Sequence, residues 1–143
     1  RRKLIMATLK GFLNPIKVEE RDVIISDRFI GEDGQPLPFR IKPVGSDVMS
    51  ALEQEAVEQT TGKGKSVGIK TDTRKYINGL LAASVVSPDL DAVDIQDAYG
   101  ASSARELIDK MLLAGERNRL LEAVNEINGL DKSLDDMVKE AKN

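Results

Sequence analysis

The chain has 143 residues, of which 41% are apolar and 31% charged, and it carries a net charge of −3. This balance predicts one folded domain and argues against a disordered segment or a general nucleic-acid binder, which needs clustered Lys and Arg. The absence of His and Cys excludes the Ser–His and Cys–His catalytic pairs, the usual zinc sites and a disulfide framework. We expect no catalytic residue, no metal and no cofactor.

The sequence also carries no membrane signal. It has no run of about 18 apolar residues, which a spanning helix needs. Residues 1–6 are basic at their start, but no apolar stretch of roughly 7–15 residues follows, so a secretory signal is not expected. The expected compartment is the cytoplasm.

The N-terminal region predicts a short helix followed by a β-hairpin. One or two amphipathic helical turns run through Leu9, Phe12 and Leu13, and we expect Phe12 and Leu13 to pack onto the rest of the domain. Residues 22–30 are rich in β-branched side chains, residues 31–36 have turn chemistry with Asp33-Gly34, and residues 37–42 return as a strand. Because such a hairpin is not stable alone, a third element must cover its apolar face.

A helix is predicted from Ser46 or Asp47 to about residue 60, with Met49, Leu52 and Ala56 on one stripe. This helix is the expected cover for the hairpin. Residues 61–71 are polar and glycine-rich, and we expect them to form a mobile connector.

The remainder predicts a series of short helices. Asp72 is a good N-cap for a helix reaching residue 85, and Gly79 inside it, which costs roughly 1 kcal/mol of helix propensity, indicates a close helix contact. One or two helical turns are expected within residues 89–99, and a helix opens at Ser102 or Ser103 and breaks at Gly115. The apolar stripes expected after residue 102 are Leu107, Ile108, Met111 and Leu112; then Leu120, Leu121, Val124 and Ile127; and last Leu134, Met137, Val138 and Ala141.

These elements predict an α+β fold. An N-terminal part, residues 1–60, contains the hairpin packed with a helix. A linker, residues 61–71, connects it to a mostly helical part, residues 72–143, within what we expect to be one compact domain.

Two segments resemble ligand-binding motifs, and both fail on spacing. An EF-hand loop starting at Asp89 would need Asn or Asp at position 93 and Gly at position 94, where the chain has Val93 and Asp94. The run Gly64-Lys65-Ser66 resembles the end of a P-loop, but position 59 is Gln59 rather than Gly, and a helix is predicted before it instead of a strand. We interpret the first as helix-capping and solvated carboxylates and the second as a connector.

Several blocks together resemble a known family. The blocks are residues 22–29 with 38–43, residues 73–76 with 85–90, residues 96–100, residues 111–116 and residues 126–129. In their order and spacing, they are similar to XkdN-like phage tail assembly chaperones. The resemblance extends from about Leu9 to Gly129. It implies a protein without catalytic residues that binds the tape measure protein, a long and largely helical chain, and assists assembly of the tail tube protein around it.

The amphipathic stripes of the C-terminal part supply the candidate contact residues. We predict partner contacts at Leu120, Leu121, Val124, Leu134, Met137 and Val138. The alternative is a minor structural tail or baseplate adaptor that stays in the virion, using the same stripes for a permanent interface. No nucleic acid or membrane is expected as a partner, and a homo-oligomer is left open.

Overall fold

The computed structural model describes residues 2–61, 67–132 and 139 of the chain. Six helices and five short strands lie within these residues. They are α1 Arg2–Leu13, β1 Arg21–Val23, β2 Phe39–Ile41, α2 Ser46–Glu55, β3 Val57–Thr61, β4 Val67–Thr71, α3 Thr73–Ser84, β5 Val85–Ser87, α4 Val93–Ala98, α5 Ala104–Met111 and α6 Ala114–Ile127. The α+β fold class predicted from the sequence is confirmed, with a small antiparallel sheet and a mostly helical C-terminal part.

The main sheet has three antiparallel strands in the order β1-β2-β5. Strands β1 and β2 pair with Asp22 opposite Arg40, which confirms the predicted antiparallel pair. The strands are shorter than predicted. In the connection between them, only Ile30 and Pro36 form a further bridge, which closes the turn at Gly34, where φ is 79°. The third strand, Val85–Ser87, was not predicted, because the helical spacing of apolar residues in the preceding helix continues into it.

A second hairpin replaces part of the predicted helix and connector. Helix α2 ends at Glu55, and β3 pairs along its whole length with β4, from Val57 opposite Thr71 to Thr61 opposite Val67. The prediction of a helix to residue 60 is therefore wrong, and residues 67–71 of the predicted connector form β4. The mobility expected of this connector stays a prediction, and residues 62–66 lie outside the described residues.

Local capping chemistry sets the helix ends. The side chain of Asp72 accepts a hydrogen bond from the backbone N–H of Lys75 at 3.1 Å, and Ser103 accepts one from Glu106 at 3.2 Å. Both residues are predicted N-caps, and both are confirmed. The break between α5 and α6 falls at residues 112–113 rather than at the predicted Gly115, which lies in the first turn of α6.

The core contains residues from the parts of the chain before and after the β3–β4 hairpin. Helix α3 packs on α2, α5 and α6, while α6 also contacts β1. At the contact between α2 and α3, a Cβ on Gly79 would lie 2.7 Å from Cδ2 of Leu52, so the close helix contact predicted at this glycine is confirmed. The buried apolar residues that form one cluster are Ile25, Phe39, Ile41, Leu52, Leu80, Leu81, Leu90, Ala101, Leu107, Ile108, Met111, Leu112, Leu120, Val124 and Ile127.

Two predicted packing relations differ in the structure. Helix α2 packs mainly on α3, and the strands instead lie against α3 and α6. At the end of helix α1, Phe12 is 80% exposed and Leu13 is 67% exposed. The prediction that Phe12 and Leu13 pack onto the domain is therefore wrong.

Candidate interaction surface

A buried carboxylate joins the first loop of the sheet to helix α6. Glu116 is only 2% exposed, and it accepts hydrogen bonds from Nε and Nη2 of Arg28 at 2.8 and 2.6 Å. The hydroxyl of Ser26 and the backbone N–H of Leu113, the latter at 2.7 Å, also donate to it. Arg28 in addition donates to the carbonyl of Met111 at 3.1 Å. This network fixes residues 26–28 against the start of α6.

The network keeps Glu116 ionised. The hydrogen bonds from the Arg28 guanidinium, together with those from Ser26 and Leu113, outweigh the effect of burial and lower the pKa of Glu116 from 4.5 to about 2. A carboxyl group with that pKa cannot act as a general acid near neutral pH. Its role is to hold the fold together.

The predicted contact residues on α6 divide between core and surface. Leu120 and Val124 are fully buried, so in this fold they pack inside the protein and offer no surface to a partner. Leu121 is half-buried at the edge of the core. The other three, Leu134, Met137 and Val138, lie outside the described residues. Partner contact by Leu121 and these three stays a prediction.

A cleft of about 500 Å³ lies at the C-terminal end of α6. Val18, Pro43 and Ile127 contribute apolar surface to it, and Leu130 lies close by in sequence with 47% of its surface exposed. Asn128 stabilises the wall, because its Oδ1 accepts a hydrogen bond from the backbone N–H of Val44 at 2.7 Å. In sequence, the residues at this end of α6 directly precede the segment that carries Leu134, Met137 and Val138.

A second depression, which we call the apolar groove, has a volume of about 310 Å³. Two aromatic rings form part of its wall, with the ring centroids of Phe29 and Phe39 6.0 Å apart and the guanidinium carbon of Arg28 5.0 Å from the Phe29 centroid. Leu37, at its edge, is 50% exposed. Its main lining residues are Phe29, Leu37, Phe39, Ile95, Tyr99 and Met111. The sequence did not predict this groove, because its lining residues come from four separate segments, residues 29–39, 87–88, 95–99 and Met111.

Helix α1 presents a further apolar surface, which we call the α1 face. Its side chains follow helical spacing, and each is more than half exposed. The members are Ile5, Met6, Leu9, Phe12 and Leu13. Contiguous exposed apolar surface of this kind is typical of interaction sites.

The acidic side chains of the described residues are possible metal ligands, and they are spread over the chain rather than gathered in one cluster. Residues 2–61, 67–132 and 139 contain no cluster of three or more Asp and Glu side chains that could hold a metal ion. The cleft contains Glu126 and Asp131, but Glu126 already accepts a hydrogen bond from Arg21 at 3.0 Å. The P-loop-like residues 64–66 lie outside the described range. None of the helices described is long and apolar enough to cross a membrane.

Comparison with known proteins gives a consistent result. Residues 9–142 match the family model of the phage XkdN-like tail assembly chaperone protein. The chain is 31% identical over 129 residues to the phage-like element PBSX protein XkdN of Bacillus subtilis strain 168, and 30% identical over 129 residues to the protein YqbN of the same organism. Each alignment covers 90% of this chain and 87% of the relative.

The fold agrees with an experimental structure. A crystal structure of the protein YqbN superposes with a TM-score of 0.68 and 28% sequence identity, covering 83% of this chain and 94% of that one. The family resemblance found in the sequence is thereby confirmed. With a match to the family model over nearly all of its length and a relative at 31% identity, the chain belongs to the family of XkdN-like phage tail assembly chaperones.

Proposed function

We propose that the chain binds the tape measure protein of its phage or prophage, keeps that protein from aggregating and assists assembly of the tail tube protein around it. The activity is non-covalent and needs no cofactor. It takes place in the cytoplasm of the bacterial host. The observation that carries this proposal is the family match over residues 9–142, which supports a role in tail assembly.

The physical logic supports the tape measure protein as the client. A long helix that has not yet been enclosed by tube protein exposes apolar stripes, and exposed apolar stripes associate non-specifically. A chaperone that offers complementary apolar surface covers them reversibly, helix in groove. No bond has to be made or broken, which is consistent with the lack of His and Cys in the chain.

We assign the client contact to α6 and the segment after it. Leu120 and Val124 are excluded because they are fully buried. Leu121 remains, together with Leu134, Met137 and Val138, which follow the cleft in sequence. Leu130 is 47% exposed and lies in sequence between Gly129 and Asp131, which line the cleft, so it offers a further apolar side chain near this segment.

Co-expression tests the proposal. The tape measure protein from the same genome is expressed alone and together with this chain, and its soluble fraction is measured. We expect a several-fold increase with the chain present. Equal solubility of the tape measure protein alone would refute the chaperone role.

Variants locate the contact. The triple change Leu134→Asp, Met137→Asp and Val138→Asp should abolish the increase, because carboxylates cannot cover apolar stripes. Val93→Asp is the matched control, since Val93 is 68% exposed on α4, away from the cleft. A triple variant as active as the control would remove the contact from this segment.

Purified tails separate the chaperone from the alternative, a tail or baseplate adaptor that remains in the virion. A chaperone leaves before the tail is complete, so mass spectrometry of finished tails should not detect this chain. Stoichiometric recovery in tails would favour the adaptor.

A further inference from the structure

Helix α1 and the apolar groove are complementary surfaces on the same chain. We propose that α1 of one copy docks its apolar face into the groove of a second copy, and that mutual exchange forms a closed dimer. The inference is independent of tape measure binding, because it uses neither the cleft nor the segment after α6.

The α1 face requires a cover. Five large apolar side chains lie along one helix, and the most exposed of them, Phe12, has 80% of its surface in solvent. Isolated exposed apolar residues are ordinary, but a contiguous helical stripe marks an interaction surface. An amphipathic helix of this kind is recognised by an apolar groove through side chains at i, i+4 and i+7, which here are Ile5, Leu9 and Phe12.

Charge identifies the occupant. Residues 1–18 contain five basic residues and no acidic one. Removing these five from the 21 basic residues of the chain leaves 16, against 24 acidic residues, so the remainder has a net charge of −8. Helix α1 is thus a basic amphipathic helix attached to an acidic body of the same sequence. Attraction between unlike charges favours docking on another copy of that body.

One of the segments that line the groove is acidic. Four of its lining residues, Ser87, Pro88, Ile95 and Tyr99, belong to a stretch from residue 76 to residue 104 that has four Asp and no basic residue. The two acids of α4, Asp94 and Asp97, are both exposed. Arg28, which contacts the Phe29 ring of the groove, is already paired with Glu116 at 2.6 Å. In the proposed dimer, a basic helix therefore binds to an apolar groove that has acidic residues near its edge.

The connection allows exchange. Residues 14–20 form neither helix nor strand, and seven extended residues span up to about 25 Å. Helix α1, with 12 residues, is itself about 18 Å long. If each copy donates its helix to the other, both grooves are filled and no surface is left for further growth, which is the closure that a twofold dimer provides.

Cysteine crosslinking tests which copy α1 meets. The chain contains no Cys, so introduced thiols are the only ones present. Separately purified Phe12→Cys and Leu37→Cys proteins are mixed and mildly oxidised. We expect a heterodimer with one of each chain, identified by mass. Phe12→Cys mixed with Val48→Cys, whose cysteine lies on α2 outside the groove, is the matched control and should crosslink at least several-fold less.

The oligomeric state supplies a second measurement. Sedimentation velocity of the full chain should show a dimer that Phe12→Asp and Leu37→Asp each convert to a monomer, while Val48→Asp leaves it intact. Circular dichroism confirms that every variant keeps its helix content. Raising the salt concentration should weaken the dimer several-fold, because opposite charges attract across the interface.

Three results would overturn the proposal. The first is a monomeric internal disulfide in the Phe12→Cys/Leu37→Cys double variant without any heterodimer in the mixture, since α1 would then fill its own groove. The second is a wild-type monomer that instead binds vesicles of phosphatidylserine and phosphatidylcholine through α1. The third is a dimer insensitive to both Asp substitutions.

Discussion

Replacing Glu116 with Gln keeps the shape of the side chain and removes its negative charge. In the native protein this carboxylate is 2% exposed and is bound by Arg28, Ser26 and the backbone of Leu113. Gln can accept through one oxygen only, and its amide group would face the guanidinium of Arg28 as a second donor. The substitution therefore breaks the network that joins residues 26–28 to α6.

The magnitude follows from the pKa of Glu116, which is lowered from 4.5 to about 2 by Arg28 and its other donors. A difference of this size corresponds to about 3.4 kcal/mol of stability at neutral pH, at roughly 1.36 kcal/mol for each pKa unit. The Arg28 side chain is 42% exposed, so solvent screens part of the interaction. We expect Glu116→Gln to lower the free energy of unfolding by about 2–3 kcal/mol at pH 7.

The same mechanism predicts a pH dependence. Because the folded pKa is the lower one, the stabilisation is fully present above about pH 4.5 and is lost as the pH falls through about 2. The difference in stability between wild type and Glu116→Gln should therefore shrink to roughly half of its neutral value between pH 3 and pH 3.5. Above pH 5 it should be constant.

Urea denaturation followed by circular dichroism at several pH values measures both quantities. Glu122→Gln is the matched control, because Glu122 lies exposed on the same helix and its replacement should change stability by less than about 0.5 kcal/mol. If the gap between wild type and Glu116→Gln were the same at pH 7 and pH 3, the ionised carboxylate would not be the source of the stability.

Three further substitutions test local features in thermal or urea unfolding. Gly79→Ala should destabilise the protein by about 1–2 kcal/mol despite the better helix propensity of Ala, because the new Cβ would lie 2.7 Å from buried Leu52. Gly115→Ala is the control and should not destabilise the protein, because the nearest atom to its Cβ would be 3.5 Å away. Equal effects of the two substitutions would contradict the packing argument. Ser103→Ala should cost about 1 kcal/mol by removing the N-cap of α5, and an unchanged midpoint would show that this cap contributes nothing. Ser84→Ala should leave stability unchanged or raise it by about 1 kcal/mol, since within the described residues its buried Oγ has no hydrogen-bond partner; a clear loss of stability would reveal one.

The sequence predicted those features that depend on neighbouring residues. The N-caps at Asp72 and Ser103, the turn at Gly34 and the close contact at Gly79 each follow from the chemistry of one residue in its local context. The apolar stripe of α5 was also found, because helical spacing survives in a short segment. These predictions needed no knowledge of the tertiary fold.

The features that the sequence did not predict depend on distant residues. Strand β5 exists because β2 pairs with it across more than 40 residues, and nothing within Val85–Ser87 distinguishes it from the end of α3. The burial of Leu120 and Val124 could not be separated from surface exposure, since a stripe that faces the core and one that faces a partner have the same spacing. The apolar groove was not predicted, because it forms only where four distant segments of the chain meet.

The pairing of β5 with β2 has a consequence for synthesis of the chain on the ribosome. The sheet is incomplete until residues 85–87 have emerged from the ribosome. The hydrogen bonds from Arg28 to Glu116 can form only after a further stretch of synthesis, because Glu116 lies 88 positions after Arg28. A fragment ending near residue 60 would leave one edge of β2 unpaired, an edge that could template pairing with other chains. A backbone cut between β3 and β4, in contrast, should leave two fragments that stay together, since each one completes the sheet and core of the other.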